Sequence, residues 1–229
     1  MEGAKILGVI CPSVKKFRGG ETVGIGVKIK NTGEVSNDFG VKVYIFRRGY
    51  SVSGCGNTGV LSVNSETTIY SYWNAESYEY DRYKYDLLVE VYSNSDCSGY
   101  RLDSLYCKEI IDVWPTRTLF KGEALNFEMS CSADYDGTYY RKMVSVVCYE
   151  GSPWEQAPVR YNKDYMDSGW LCCLNKNQTT DLKFSQVIPF YNEQEGDYVA
   201  VAGYIIMWKD ENRNYQCSQM ALFIYGGER

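Results

Sequence analysis

The stretch Gly20-Glu21-Thr22-Val23-Gly24-Ile25-Gly26-Val27-Lys28-Ile29-Lys30-Asn31-Thr32-Gly33 decides how this chain folds. Val23, Ile25, Val27 and Ile29 alternate with Gly24, Gly26 and Lys28. A period of two puts the four apolar residues on one face of an extended strand, and Asn-Thr-Gly supplies a turn after it. The next run does the same: Val41, Val43 and Ile45 alternate with Lys42 and Tyr44. Further out, Leu125, Phe127 and Met129, then Val144 and Val146, repeat the pattern, with Asp136-Gly137 as a turn. No long run shows helical spacing. Trp154 to Met166 comes nearest, but Pro158 interrupts it, so a loop with a short turn is expected there. The reading is an all-β chain of antiparallel strands, roughly seven per half at about ten-residue spacing, as in a sandwich.

Self-comparison divides the chain in two. Phe17-Arg18-Gly19-Gly20-Glu21-Thr22-Val23 matches Phe120-Lys121-Gly122-Glu123-Ala124-Leu125. Glu66-Thr67-Thr68-Ile69-Tyr70 matches Gln178-Thr179-Thr180-Asp181-Leu182, and Tyr85-Asp86-Leu87-Leu88-Val89 matches Tyr198-Val199-Ala200-Val201-Ala202. The matches keep their order while their spacing widens. That places an insertion in the second copy, around Glu150 to Asp167. The expected domains are residues 1–113 and 114–229, with Pro115 stopping the last strand of the first.

The segment from Gly20 to Gly33, followed by Phe39 to Ile45, resembles the opening strands of CARDB-like immunoglobulin-type sandwiches. In that family a Gly-Glu or Gly-Asp lead-in precedes a strand ending in Asn-Thr-Gly. The second copy keeps Gly122-Glu123 but has Ser130-Cys131-Ser132 in place of Asn-Thr-Gly. The resemblance implies two tandem immunoglobulin-like antiparallel β-sandwiches, a fold that occurs mostly as non-catalytic modules of surface and adhesion proteins.

Composition narrows the function. The chain has no histidine, which removes Ser–His and Cys–His catalysis and histidine metal ligation. A net charge of −5 argues against nucleic acid as a partner. No apolar run approaches the roughly 20 residues of a membrane-spanning helix. No cofactor is expected. The paired carboxylates Asp134 and Asp136, Glu193 and Glu195, and Asp210 and Glu211 all sit in polar, turn-like stretches. Neither a catalytic residue nor a metal ligand set is assigned.

Nine cysteines remain, and no two form a CxxC pair. Disulfides are the expected use for several of them, the candidates being Cys11, Cys55, Cys97, Cys107, Cys131, Cys148, Cys172, Cys173 and Cys217. Strand order suggests Cys11 with Cys107, and Cys55 with Cys97 as a staple between loops. The other five leave several pairings open, and an odd total leaves at least one thiol free or paired with another chain. Disulfides point to an oxidising compartment. The N-terminus, however, reads as a first strand from Ile6 to Ile10, with no signal peptide visible. Asn177-Gln178-Thr179 is a glycosylation sequon in a polar loop.

Tyrosine is the compositional outlier, with 22 residues, several of them crowded between Tyr70 and Tyr85. Tyr72, Trp73, Tyr78, Tyr80 and Tyr83 are the expected contact surface, with Tyr135, Tyr139 and Tyr140 as a second cluster. Such rings combine large area with a polar tip and suit protein interfaces and sugar stacking. The expectation is a non-catalytic structural or assembly protein that uses these surfaces for protein–protein contacts in a homo- or hetero-oligomer. Many cysteines without an export signal would fit a virion component, a capsid, turret or spike, of a thermophilic archaeal virus. The alternative is a secreted or cell-surface adhesion or glycan-binding module.

Overall fold

The computed structural model describes residues 3–10, 16–189, 194–210 and 213–229. Among them the chain is almost entirely β, with one 3-10 turn at Pro153–Glu155 and no α-helix. It forms two compact units, Met1–Thr116 with Arg229, and Arg117–Glu228. The division falls just beyond the expected one. Trp114 still belongs to a strand of the first unit, where it is buried and donates through Nε1–H to Asp112 at 3.1 Å.

The first unit contains β1 (Ala4–Ile10), β2 (Lys16–Arg18), β3 (Thr22–Asn31), β4 (Asn37–Arg47), β5 (Tyr50–Leu61), β6 (Glu66–Asn74), β7 (Tyr83–Tyr92) and β8 (Arg101–Trp114). One sheet runs β1-β3-β6 and the other β2-β8-β7-β4-β5. Their inward residues share one core. Val23, Ile25, Val27 and Ile29 come from β3, Val41, Val43 and Ile45 from β4, and Tyr85, Leu87, Val89 and Val91 from β7. The expected alternation is what buries them. β8 ends at Trp114, directly before Pro115, which has no N–H to continue the ladder.

The second unit contains β9 (Thr118–Leu119), β10 (Ala124–Ser132), β11 (Thr138–Tyr149), β12 (Val159–Tyr165), β13 (Leu171–Leu174), β14 (Thr179–Val187), β15 (Tyr198–Asp210) and β16 (Arg213–Tyr225). One sheet is β10-β14. The other is β12-β11-β15-β16-β9, with β13 also on β11. The stretch expected as a loop around Trp154 to Met166 is mostly strand β12. It pairs with β11 from Val144↔Tyr165 to Tyr149↔Val159. Local sequence there is polar, and the pairing with β11 holds it extended.

The matched segments of the two halves occupy equivalent places. The order β2-β8-β7-β4-β5 corresponds to β9-β16-β15-β11-β12, and β3-β6 corresponds to β10-β14. The Gly-Glu lead-in has the same job in both. Gly20 and Gly122 take left-handed φ values of 87° and 83°, which suit glycine. Glu21 then accepts the Arg18 N–H at 2.9 Å, and Glu123 the Phe120 N–H at 3.0 Å. The Asn-Thr-Gly motif closes the β3–β4 turn through buried Asn31. Its Nδ2 donates to the carbonyls of Val35 and Leu61 at 2.9 and 2.8 Å, and its Oδ1 accepts the Gly33 N–H at 2.8 Å.

Candidate interaction surfaces

Strand parity sorts the tyrosine-rich stretch. On β6, Tyr70 and Tyr72 point outward and are 57% and 71% exposed. They stand opposite Gly26 and Gly24 of β3. Each ring covers the glycine beside it: a Cβ on Gly26 would lie 3.0 Å from the Tyr70 ring, and one on Gly24 3.3 Å from the Tyr72 ring. The rings therefore rest on bare backbone and present a broad aromatic face. Ile10, also exposed, lies across from Gly26 on β1 and extends it. Tyr70 and Ile10 were not among the expected contact residues. The signal for them was the Gly-x-Gly on the neighbouring strand, which leaves room for large rings.

Trp73 is a correction. It is the next residue along β6, so it faces inward and is buried. Its Nε1–H donates to the Tyr50 hydroxyl at 3.1 Å, and its ring meets Tyr85 edge-on at 5.0 Å.

Tyr78 and Tyr83 are largely used within the fold. Both are half-buried around Arg47. The guanidinium lies 3.8 Å from the Tyr83 ring and donates to the hydroxyls of Tyr78 and Tyr85 at 2.9 and 3.2 Å. Glu76 completes the group, accepting Tyr78 at 2.8 Å, Tyr85 at 2.9 Å and Arg47 at 3.2 Å. This latch ties the β6–β7 loop to the end of β4. Tyr80, in the same loop, is 56% exposed.

Burial pushes the Glu76 carboxyl up. The hydroxyls of Tyr78 and Tyr85 and the Arg47 cation outweigh that and hold it below its ordinary value of 4.5. A carboxylate with a depressed pKa adds stability above the unfolded pKa and loses it as pH falls through the folded one. Glu76→Gln is therefore expected to weaken unit one at pH 7 and to shrink its further loss on acidification. Urea midpoints of both proteins at pH 7 and about pH 3 measure this. Equal acid sensitivity in the two would contradict the latch.

A second outward face lies on the five-stranded sheet. Tyr44, Leu88 and Tyr106 form one cross-strand row over β4, β7 and β8. Phe46 stands beside Tyr106 at 6.2 Å. Glu90 lies at the flank. The Tyr92 hydroxyl at 2.6 Å and Arg101 at 2.7 Å hold its carboxyl below the usual range, against burial. The sequence reading missed this row because its members come from three separate strands.

In unit two, Tyr139 is half exposed, Tyr140 packs against the core and Tyr135 is half-buried in a turn. They do not form one surface comparable to Tyr70 and Tyr72. Asp136 serves the same region as a turn carboxylate, accepting the Lys176 N–H at 2.6 Å. An open depression of about 300 Å³ lies over β10 and β14. Its charged groups are already paired: Ser130 donates to Asp181, and Lys183 lies 3.4 Å from Glu128. Among the described residues, no group of three His, Cys, Asp or Glu could hold a metal ion. Glu193 and Glu211 lie outside the described residues, as does the side chain of Asp210.

Disulfides join Cys55 to Cys97 and Cys131 to Cys217, and Cys173 is disulfide-bonded as well. Two of the candidate disulfide cysteines, Cys107 and Cys148, are free. Cys107 sits on β8 opposite Leu87 and packs against the core, so it is not Cys11's partner. Cys11 and the Cys172 side chain lie outside the described residues. Cys148 is buried in the second core, and burial, then Asp197, pushes its pKa up to about 12. A thiol held protonated there is inert packing. Asn177 is exposed in the turn before β14, with φ 66°.

No family model matches the chain, and no curated protein matches it. Among solved structures it is similar to the beta-glucosidase from Listeria innocua in complex with glucose, at 14% identity and a TM-score of 0.32. The likeness covers 49% of this chain and 16% of that one. A mutant of the same enzyme in complex with laminaribiose gives the same values.

Proposed function

We propose that this chain is a non-catalytic assembly protein of two tandem immunoglobulin-like β-sandwiches that binds neighbouring proteins through aromatic sheet faces. The observation that carries the reading is the pair Tyr70 and Tyr72, two large exposed rings seated on Gly26 and Gly24. A ring held against backbone has already lost its rotamer freedom, so it orders cheaply on binding. The strand order, a three-stranded sheet facing a five-stranded one around a single core, supports the sandwich. The disulfides favour an oxidising compartment or an extracellular setting. A capsid, turret or spike is an assembly of this kind.

The variant Tyr70→Ala/Tyr72→Ala is expected to lower the affinity of assembly contacts through this face by at least about tenfold, as loss of two aromatic anchors does. A photo-crosslinking phenylalanine at position 72 should join the chain to protein in its native assembly. Flat exposed rings also suit sugar stacking, which is the second reading. A glycan array separates them. Glycan binding that the double variant abolishes would replace the assembly reading with the adhesion one.

A further inference from the structure

Among the described residues, the second unit has no counterpart of β1. In unit one β1 covers the outer edge of β3, pairing from Ala4↔Asn31 to Ile10↔Gly26. The counterpart of β3 is β10, and among the described residues β10 pairs with β14 alone. Its other edge carries a row of backbone N–H and C=O groups with no described strand beside them. Such an edge is a template for another strand unless it is blocked.

Three other borders of the sheets are blocked. β1 has a bulge between Ile6 and Gly8, and Asp103 takes the Ile6 N–H at 2.8 Å. β12 shifts register at Cys148/Tyr149 and carries Arg160 and Lys163. On β14, Lys142 donates to the Asp181 carbonyl at 2.5 Å. β10 is less guarded: Asn126 Nδ2–H donates to the Ala124 carbonyl at its start at 3.3 Å, and Glu128 is its one charged side chain. Its nine pairs with β14 run unbroken, and it contains no proline, no lysine and no bulge. The Cys131–Cys217 disulfide anchors its end to β16, so the edge is preformed.

We propose that β10 pairs with β10 of a second copy of this chain, antiparallel about a two-fold axis at Phe127, making one continuous sheet β14-β10-β10-β14. The side chains select this occupant and this register. Inward, Leu125 meets the partner's Met129 and Phe127 meets the partner's Phe127, an apolar row. Outward, Asn126 meets the partner's Glu128, an amide donor against a carboxylate, and Ala124 meets the partner's Ser130. Lys183 continues the outward row beside Glu128. An axis at Glu128 would instead oppose two carboxylates, which is unfavourable. β1 of another copy is no substitute, since each chain has one β1 and its own β3 uses it. The contact is isologous and therefore closes as a dimer. It lies in the other unit from the tyrosine face and stands or falls independently of it.

Sedimentation across a concentration series, with hydrogen exchange on the same samples, tests the proposal. The expected result is a monomer–dimer equilibrium in which the dimer protects amides between Leu125 and Ser130 and leaves β6 unchanged. Asn126→Glu opposes two carboxylates at both symmetry-related places and should raise the dimer Kd by about tenfold or more. Asn126→Lys should hold or tighten the dimer. Position 126 is exposed, so both variants should fold as the parent does. A chain that stays monomeric, with β10 amides exchanging equally at all concentrations, overturns the proposal and leaves the edge to a foreign strand. A dimer indifferent to both substitutions also overturns it.

Discussion

A chain with Cys131→Ala and Cys217→Ala is expected to lose about 4 kcal/mol of stability in unit two. The bond closes a loop with a sequence separation of 86. In the chain-entropy account, a cross-link of that span removes much of the unfolded chain's freedom, and the effect grows with the logarithm of the loop. The structure adds a second reason. Among the described residues β10 has a hydrogen-bonded neighbour on one side only, and Cys131 at its end is held to β16 across the core. Without that tether a two-stranded sheet is marginal. Urea unfolding followed by probes in each unit reads the result. The unit-two midpoint should fall while the transition of unit one, with its own Cys55–Cys97 bond, stays in place. A shift below about 1 kcal/mol would show that the bond is incidental to stability. The same variant should also weaken β10 pairing, because a frayed edge strand is a poor template.

Gly40→Ala is expected to cost unit one about 3 kcal/mol, at the upper end for an overpacked site. Gly40 lies on β4, and the loop after β7 folds back against it. A Cβ there would meet the Asn94 carbonyl oxygen and come within 2.6 Å of the Cys97 nitrogen and 2.8 Å of its Cα. These are backbone atoms. They belong to a loop held by the Ser93–Tyr100 backbone hydrogen bond and by the disulfide from Cys97 to Cys55 on β5. No side chain can swing away to make room. By contrast Gly54, on the neighbouring β5, has only the Ser71 hydroxyl at 3.6 Å, and Gly54→Ala should cost less than about 1 kcal/mol. Thermal unfolding of the two variants side by side tests the difference. Equal, small shifts would mean the loop moves freely, against the packing described.

Much of the fold was legible because burial on a sheet has a period of two. Val23 to Ile29 and Val41 to Ile45 alternate cleanly and lie where the alternation puts them. The repeat was legible for a similar reason. The Gly-Glu turn needs a glycine with positive φ and a carboxylate three residues after the amide it accepts, so both copies keep those residue types. β12 was not legible, since its alternation is short, carried by Val159, Tyr161 and Tyr165 among polar residues just after Pro158, and its pairing with β11 completes it as a strand. Crowding of aromatic residues in the sequence does not make crowding on one surface, and Trp73 is the case in point. Adjacent residues of a strand point to opposite faces, so Tyr72 is outside and Trp73 is inside.

By itself the sequence determined the all-β class, the two related halves and the stop at Pro115. Each is written in local residue types: alternation, turn glycines, and a residue without an N–H. Only the tertiary structure decided which cysteines meet, which tyrosines stay outside and which strand lacks a neighbour. Those depend on register and sheet order, which bring together residues far apart in the chain. Cys131 and Cys217 meet because β10 and β16 lie in facing sheets. β10 is left with an open edge because unit two has no counterpart of β1 among the described residues, an absence that no local pattern in β10 itself announces.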